Sequence, residues 1–365
     1  MPSAPDNVVV KIGRDATVNH LIEPLREYLH RDGVTEICVN RPGEVFVECN
    51  NVWERFDAPE LDFHRLRSIG VAVAAYTNNE LSDTQPLLSA VLPGDERMQV
   101  VMPPACEAGT ISITLRKPSK ETRTLDDYAK GTFLSHVQPI NDDLTPEEHE
   151  LLALKESGDY LQFLRRCVQL EKVLVIAGAT GSGKTTFMKA LMQEISTESR
   201  LVTIEDVREL FLPNHPNHVH LFYPSEAKAS DGAPVTASTL LKSCMRMKPD
   251  RILLAELRGG ETYDFLKACS SGHGGSITSI HAGSARLAFE RMADMALENE
   301  YARQTPRDVV QRLLFMLVDV VVHIHNDKHG IGRHITEIWY DPMVKRQDAV
   351  RAAQQELNKV EVIED

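Results

Sequence analysis

The stretch Val173-Leu-Val-Ile-Ala-Gly178-Ala-Thr-Gly-Ser-Gly183-Lys184-Thr185 joins two different patterns. Residues 173–176 form a continuous apolar run of strand length, while Phe187, Met188, Leu191, Met192 and Ile195 recur at helical spacing. Between them, Gly178 to Thr185 fits GxxxxGK[ST]. Glycines at these positions let the backbone curl around an anion, the loop N–H groups point inward, and the following helix N-terminus adds positive potential. Gly178, Thr180, Gly181, Ser182, Gly183, Lys184, Thr185 and Thr186 are therefore the candidate nucleotide-binding residues. Lys184 is expected to neutralise the β- and γ-phosphates of ATP, and the Thr185 hydroxyl to hold Mg²⁺.

On the C-terminal side, strand-like runs at 201–204, 252–254 and 276–280 alternate with helical patterns at 237–247, from 261, and at 284–297. Such alternation predicts a mostly parallel sheet covered by helices. Thr305-Pro306 opens another helix, and 318–325 with 331–340 reads as a closing hairpin. On the N-terminal side the character changes. A helical pattern at 21–29 precedes two β-rich runs, 34–40 and 44–49, around Arg41-Pro42-Gly43; a helix at 63–76 then leads to strands at 87–92, 98–102 and 111–115. The fold class expected is α/β, with an α+β N-terminal domain at 1–130 and a phosphate-loop domain at 144–345. Residues 131–143 read as a linker and 346–365 as a charged helix or tail. Thr145-Pro146-Glu147-Glu148 supplies a capping box at the start of the second domain.

A chain of 365 residues is long enough for about two domains. With 40 Lys+Arg against 53 Asp+Glu the formal charge is −13, which excludes a generally basic nucleic-acid coat, and no sequence-specific nucleic-acid binding is expected. The longest apolar stretch, 313–324, is interrupted by Asp319 and is shorter than the roughly 20 residues of a membrane span. The first twenty residues carry acidic groups and no unbroken apolar core, so no signal peptide is expected. Cys38, Cys49, Cys106, Cys167, Cys244 and Cys269 are scattered without CxxC pairing and read as reduced core residues.

Hydrolysis needs a carboxylate to organise Mg²⁺ and to orient the attacking water. Two strand ends offer one: Glu205-Asp206 after 201–204, and Glu256 after 252–255. In a parallel sheet both would face the crevice that receives the phosphate loop. Ala255 occupies the slot that is commonly acidic, so Glu256 acts alone or shares the work with Glu205. Thr185, Glu205 and Glu256 are the expected Mg²⁺ contacts, partly through water. His281, at the carboxyl end of 276–280, is placed to sense the γ-phosphate, while His273 lies before that run in a glycine-rich turn. Among Arg116, Arg246, Arg251 and Arg258, Arg258 is the strongest local candidate for stabilising phosphoryl-transfer charge. Histidines at 215, 218 and 220, and at 323, 325, 329 and 334, lack carboxylate or thiolate partners at ligand spacing.

GATGSGKTT (178–186), TIEDVREL (203–210), MRMKPDRILLAELRGGE (245–261) and GHGGSITSIHA (272–282) occur in that order. They resemble the Walker A, Asp box, Walker B and His box of the traffic ATPases in the secretion NTPase superfamily. VTEICVNRPGEVFVE (34–48) and VWERF (52–56) resemble the N-terminal domain of the VirB-type branch of type IV secretion. The resemblance runs roughly from His20 to Tyr340. It implies a RecA-like second domain and an ATP- and Mg²⁺-dependent hexameric ring, with nucleotide between the two domains. The expected place is the cytoplasmic face of the bacterial inner membrane, as a peripheral protein beside inner-membrane secretion components. The expected work is substrate export, conjugation or pilus assembly, with a protein or nucleoprotein as possible cargo. The resemblance also implies that Glu205, Glu256 and His281 serve hydrolysis, and that Arg116, in ISITLRKP (111–118), contacts nucleotide phosphates. The alternatives are a type II secretion or pilus motor, whose larger members carry a tetracysteine module with no counterpart here, and a nucleotide-gated assembly scaffold.

Overall fold

The structure, a computed structural model, describes residues 14–119, 121–137, 143–225 and 235–345. The expected tail at 346–365 and the expectation about a signal peptide at the extreme N-terminus fall wholly or mostly outside these residues. The chain divides into two compact units, residues 1–119 and 120–365.

The first unit contains helix α1 (Arg14–Leu29), strands β1 (Val34–Val39), β2 (Gly43–Cys49) and β3 (Val52–Ala58), helix α2 (Phe63–Tyr76), and strands β4 (Leu87–Val91), β5 (Arg97–Val101) and β6 (Ser112–Arg116). Its six strands lie in the order β3-β2-β1-β6-β5-β4, with every neighbouring pair antiparallel. Ile22 and Leu25 of α1 and Leu66 and Ile69 of α2 enter one buried cluster with Ile37, Val47, Val100 and Ile113 from the strands. Strand β3 went unread in the sequence because Val52-Trp-Glu-Arg-Phe-Asp-Ala58 is largely exposed and shows no apolar alternation. Its main-chain ladder to β2, from Gly43 opposite Ala58 to Cys49 opposite Val52, makes it a strand.

The second unit runs through α3 (Leu125–Ala129), α4 (Pro146–Glu156), α5 (Tyr160–Gln169), β7 (Leu174–Gly178), α6 (Lys184–Met192), β8 (Leu201–Glu205), β9 (His218–Phe222), α7 (Ala237–Cys244) and β10 (Arg251–Leu257). It continues with α8 (Glu261–Ser270), β11 (Ile277–Ile280), α9 (Ala285–Leu297), α10 (Arg307–Leu317), β12 (Val320–Asp327) and β13 (Gly332–Trp339). The sheet order is β13-β12-β7-β11-β10-β8-β9, parallel throughout except for the β12–β13 hairpin. Strand β11 thus lies between the phosphate-loop strand β7 and the Glu256 strand β10, the RecA-like arrangement. Residues 174–177 are fully buried on both faces of β7, each larger side chain contributing about 1.5–3 kcal/mol of apolar burial. The capping box at Thr145 is formed: its hydroxyl accepts from the Glu148 N–H and the Glu148 carboxylate accepts from the Thr145 N–H.

In the sequence, strand β9 shows only as a histidine cluster. It pairs in parallel with β8, Thr203 opposite His220, and His220 is 3% exposed. His215 is buried too, its Nε2 3.1 Å from the Ile195 carbonyl. These histidines are structural. Five of the six cysteines are buried. No helix among the described residues is long and apolar enough to cross a membrane, the apolar stretch 313–324 being divided between α10 and β12.

Candidate functional site

Parallel pairing sets several strand ends level. Ala177 lies opposite Ile280, Leu257 opposite Ile280, Leu254 opposite Ile204, and Gly178 opposite Ile324. The residues just beyond or at these ends are the phosphate loop, His281, Glu256 and Asp206. They meet at the carboxyl edge of the sheet, where an open parallel sheet binds ligand.

The loop is built for an anion. Gly181 and Gly183 take φ of +75° and +101°, conformations that glycine adopts without strain. Gly183 caps α6 with no side-chain acceptor on the first-turn N–H groups, so the donors and the positive end of the helix are presented to a ligand. Ser182, 1% exposed, has a buried hydroxyl oxygen without a protein partner. Gly178 has no room for a Cβ, which would stand 2.5 Å from both the Ile324 carbonyl and the Ser182 hydroxyl.

Lys184 is 8% exposed, and its three ammonium protons have three acceptors: the carbonyls of Gly178 at 3.1 Å and Ala179 at 3.3 Å, and His281 Nδ1 at 3.1 Å. Burial lowers the Lys184 pKa and Glu256 partly opposes that. If His281 accepts at Nδ1, its proton lies on Nε2, which is 2.8 Å from Glu256 Oε1. The other Glu256 oxygen, Oε2, takes the Arg258 Nε–H at 2.7 Å. Arg258 also pairs with Asp206, whose Oδ2 accepts from Ser225 at 3.1 Å. Burial works against both charges of that pair. Nevertheless the contacts of Arg258 with Glu256 and Asp206 hold its guanidinium above the ordinary value, and Arg258 holds Asp206 below its own. Lys184, His281, Glu256, Arg258 and Asp206 thus form one connected polar chain across the ends of four strands, β7, β11, β10 and β8.

Glu205 is not in that chain. Its side chain is fully buried; Oε2 accepts the backbone N–H groups of Glu209 and Leu210, both at 2.8 Å, and Oε1 accepts from the Thr203 hydroxyl at 2.8 Å. Strand alternation puts residues 203 and 205 on one face, and the carboxylate is spent shaping the loop beyond β8. The next residue, Asp206, past the strand end, reaches Arg258. Its place with Glu205 just past the apolar run 201–204 is the signal the sequence carries for it. Arg251 lies at the opposite end of β10, buried, with NH1 donating to the Val168 carbonyl at 2.7 Å, so it braces the fold away from the loop. Arg116 belongs to the first unit, at the end of β6; its side chain is 66% exposed and its Nε is 4.0 Å from Glu36.

Mg²⁺ prefers hard oxygen donors and retains waters when it rides on phosphate. Thr185, in the first turn of α6 and half-buried, provides such an oxygen beside Lys184. Among the described residues no group of three His, Cys, Asp or Glu forms a metal cage. The donor set therefore fits a cation carried on nucleotide phosphates, with Glu256 linked to the phosphate loop through His281 and Lys184.

Comparison with known proteins agrees with this architecture. The family described as type II/IV secretion system protein matches residues 20–352. The type IV secretion system protein VirB11 of Brucella abortus biovar 1 (strain 9-941) is 63% identical over 343 residues, 94% of each chain. PtlH of the Bordetella pertussis type IV secretion system is 42% identical over 330 residues, 90% of this chain and 96% of that one. The crystal structure of the VirB11 ATPase from the Brucella suis type IV secretion system, in complex with sulphate, superposes with a TM-score of 0.88 at 61% identity, covering 92% of this chain and 98% of that one.

Proposed function

Because the chain belongs to the type II/IV secretion system protein family, we propose that it is a Mg²⁺-dependent ATPase of a type IV secretion system. The observation that carries this reading is the Lys184–His281–Glu256 connection, which joins the phosphate loop to a carboxylate two strands away. Lys184 exchanges its loop carbonyls for β- and γ-phosphate oxygens. The first-turn N–H groups of α6 hold the same phosphates. Thr185, together with the phosphates, would hold Mg²⁺, which would supply charge neutralisation for phosphoryl transfer. Glu256 orients the attacking water, and His281, bonded to both Lys184 and Glu256, reports the presence of the γ-phosphate to the carboxylate. Arg258, held by Asp206, keeps Glu256 aimed. Glu205 serves by fixing the loop that carries Asp206.

The identity to relatives named as type IV secretion proteins supports the secretion role. In our reading the chain works as a hexameric ring at the cytoplasmic face of the inner membrane, as a peripheral partner of inner-membrane secretion components. Arg116 is assigned to the phosphates on the resemblance of its segment alone. The test is ATP turnover: Lys184→Ala abolishes phosphate release, whereas release at the wild-type rate by that variant refutes the assignment.

A further inference from the structure

The three glycines of the phosphate loop all face the same neighbour. A Cβ on Gly178 would strike the Ile324 carbonyl of β12 at 2.5 Å. The Gly181 carbonyl accepts from Asn326 Nδ2 at 3.3 Å and from Arg333 Nε at 3.2 Å, one donor from each strand of the β12–β13 hairpin. A Cβ on Gly183 would stand 3.2 Å from Arg333 Cδ. The hairpin also reaches the other wall of the site. Glu337 of β13 accepts the Ala285 N–H at 2.7 Å, at the start of α9 and just beyond the loop that follows His281. Its carboxylate there also meets the positive end of the helix.

We propose that the β12–β13 hairpin is a positioning element for the nucleotide, with Arg333 and Asn326 as positioning residues that hold the phosphate loop open toward its ligand. A loop whose N–H groups turn inward to an anion turns carbonyls outward, and donors on such a carbonyl fix its direction. Asn326 and Arg333 supply them from a strand pair whose ladder, His325 opposite His334 and Asn326 opposite Arg333, sets both side chains level with Gly181. Neither residue touches a reacting atom in this scheme; both act through the Gly181 peptide. Because Glu337 ties the same hairpin to the segment after His281, it keeps the loop and the histidine at a fixed separation.

The inference rests on the ATPase reading, and steady-state kinetics with Mg-ATP on the full chain separate the two. The double variant Asn326→Ala/Arg333→Ala is expected to raise KM for ATP roughly fivefold or more, from two lost hydrogen bonds at a partly exposed carbonyl, with kcat within about twofold of wild type and an unchanged Tm. Arg333→Lys, which keeps a donor, is expected to retain most of the affinity. An unchanged KM in the double variant overturns the proposal, and so does a joint fall of kcat and Tm, which marks a merely structural hairpin. Failure of wild type to hydrolyse ATP refutes the ATPase reading and the hairpin role together; turnover with KM unaltered in the double variant refutes the hairpin role alone.

Discussion

Lys184 holds the most demanding position in the molecule: an ammonium group, nearly buried, satisfied by two carbonyls and an imidazole. Burial lowers its pKa below the ordinary lysine value of 10.5, with Glu256 pulling in the other direction. A bound phosphate favours the charged form, so the pKa rises again in the complex. Between the lower value of the free protein and the higher value of the complex, binding takes up a proton, and affinity falls as pH rises. Titration of ATP affinity in alkaline buffer is expected to show that fall beginning below pH 10.5, and Lys184→Arg, which stays protonated, is expected to lack it. A wild-type affinity flat across this range contradicts the assignment of Lys184 to the phosphates.

The two glutamates at strand ends make opposite predictions. Glu205→Gln places an amide N–H₂ against buried donors and is expected to cost about 1–3 kcal/mol of stability in denaturant unfolding. Glu256→Gln keeps the fold and ATP binding and loses turnover, since its partners are side chains at the edge of the site. A stable Glu205→Gln protein with lost turnover reverses these roles.

At the scale of elements, the phosphate loop depends on strand β12 as much as on β7. Gly178 is in register with Ile324, and the close approach of that main chain excludes any side chain at 178. Gly181 has open space around the Cβ position and needs glycine only for its φ of +75°. The two positions therefore respond differently to alanine. Gly178→Ala is expected to cost about 1–3 kcal/mol through backbone displacement and to weaken ATP binding, whereas Gly181→Ala costs about 1 kcal/mol of conformational strain. Thermal unfolding with and without ATP measures both, and equal losses at the two sites contradict the steric account.

The elements themselves were unequally legible. Strand β7, helix α6 and the capping box of α4 announce themselves through residues a few positions apart. Strands β3 and β9 do not: the first carries charge on an exposed edge, and the second, His218–Phe222, carries two histidines in a largely buried ladder. Both are edge strands, where main-chain pairing rather than apolar alternation decides the structure.

For the molecule as a whole, a formal charge of −13 disfavours close association of copies in bulk, so a ring must be held by local contacts and by ligand. Molar mass in solution with ATP and Mg²⁺ is expected to correspond to about six copies, and to fall when nucleotide is removed, as mass action requires of a ligand that binds the assembled form better. A single-copy mass under every condition refutes the ring. DNA-stimulated turnover that falls steeply with salt would instead mark a nucleic-acid motor.

The phosphate loop, the helix caps, the alternation that means a parallel sheet and the order of the four motif segments were all legible in residues close together in the chain, because they express local geometry and periodicity. The site is another matter. Lys184 and His281 lie 97 positions apart, and what joins them is the pairing of β7, β11 and β10. A periodic pattern tells which face of a strand is buried, not which strand lies beside it or how far it slides. For that reason Glu205 and Asp206, neighbours in sequence, separate into a buried loop brace and a member of the polar chain that reaches Lys184. For the same reason Asn326 and Arg333 show no relation to the glycine loop until the hairpin is folded against it.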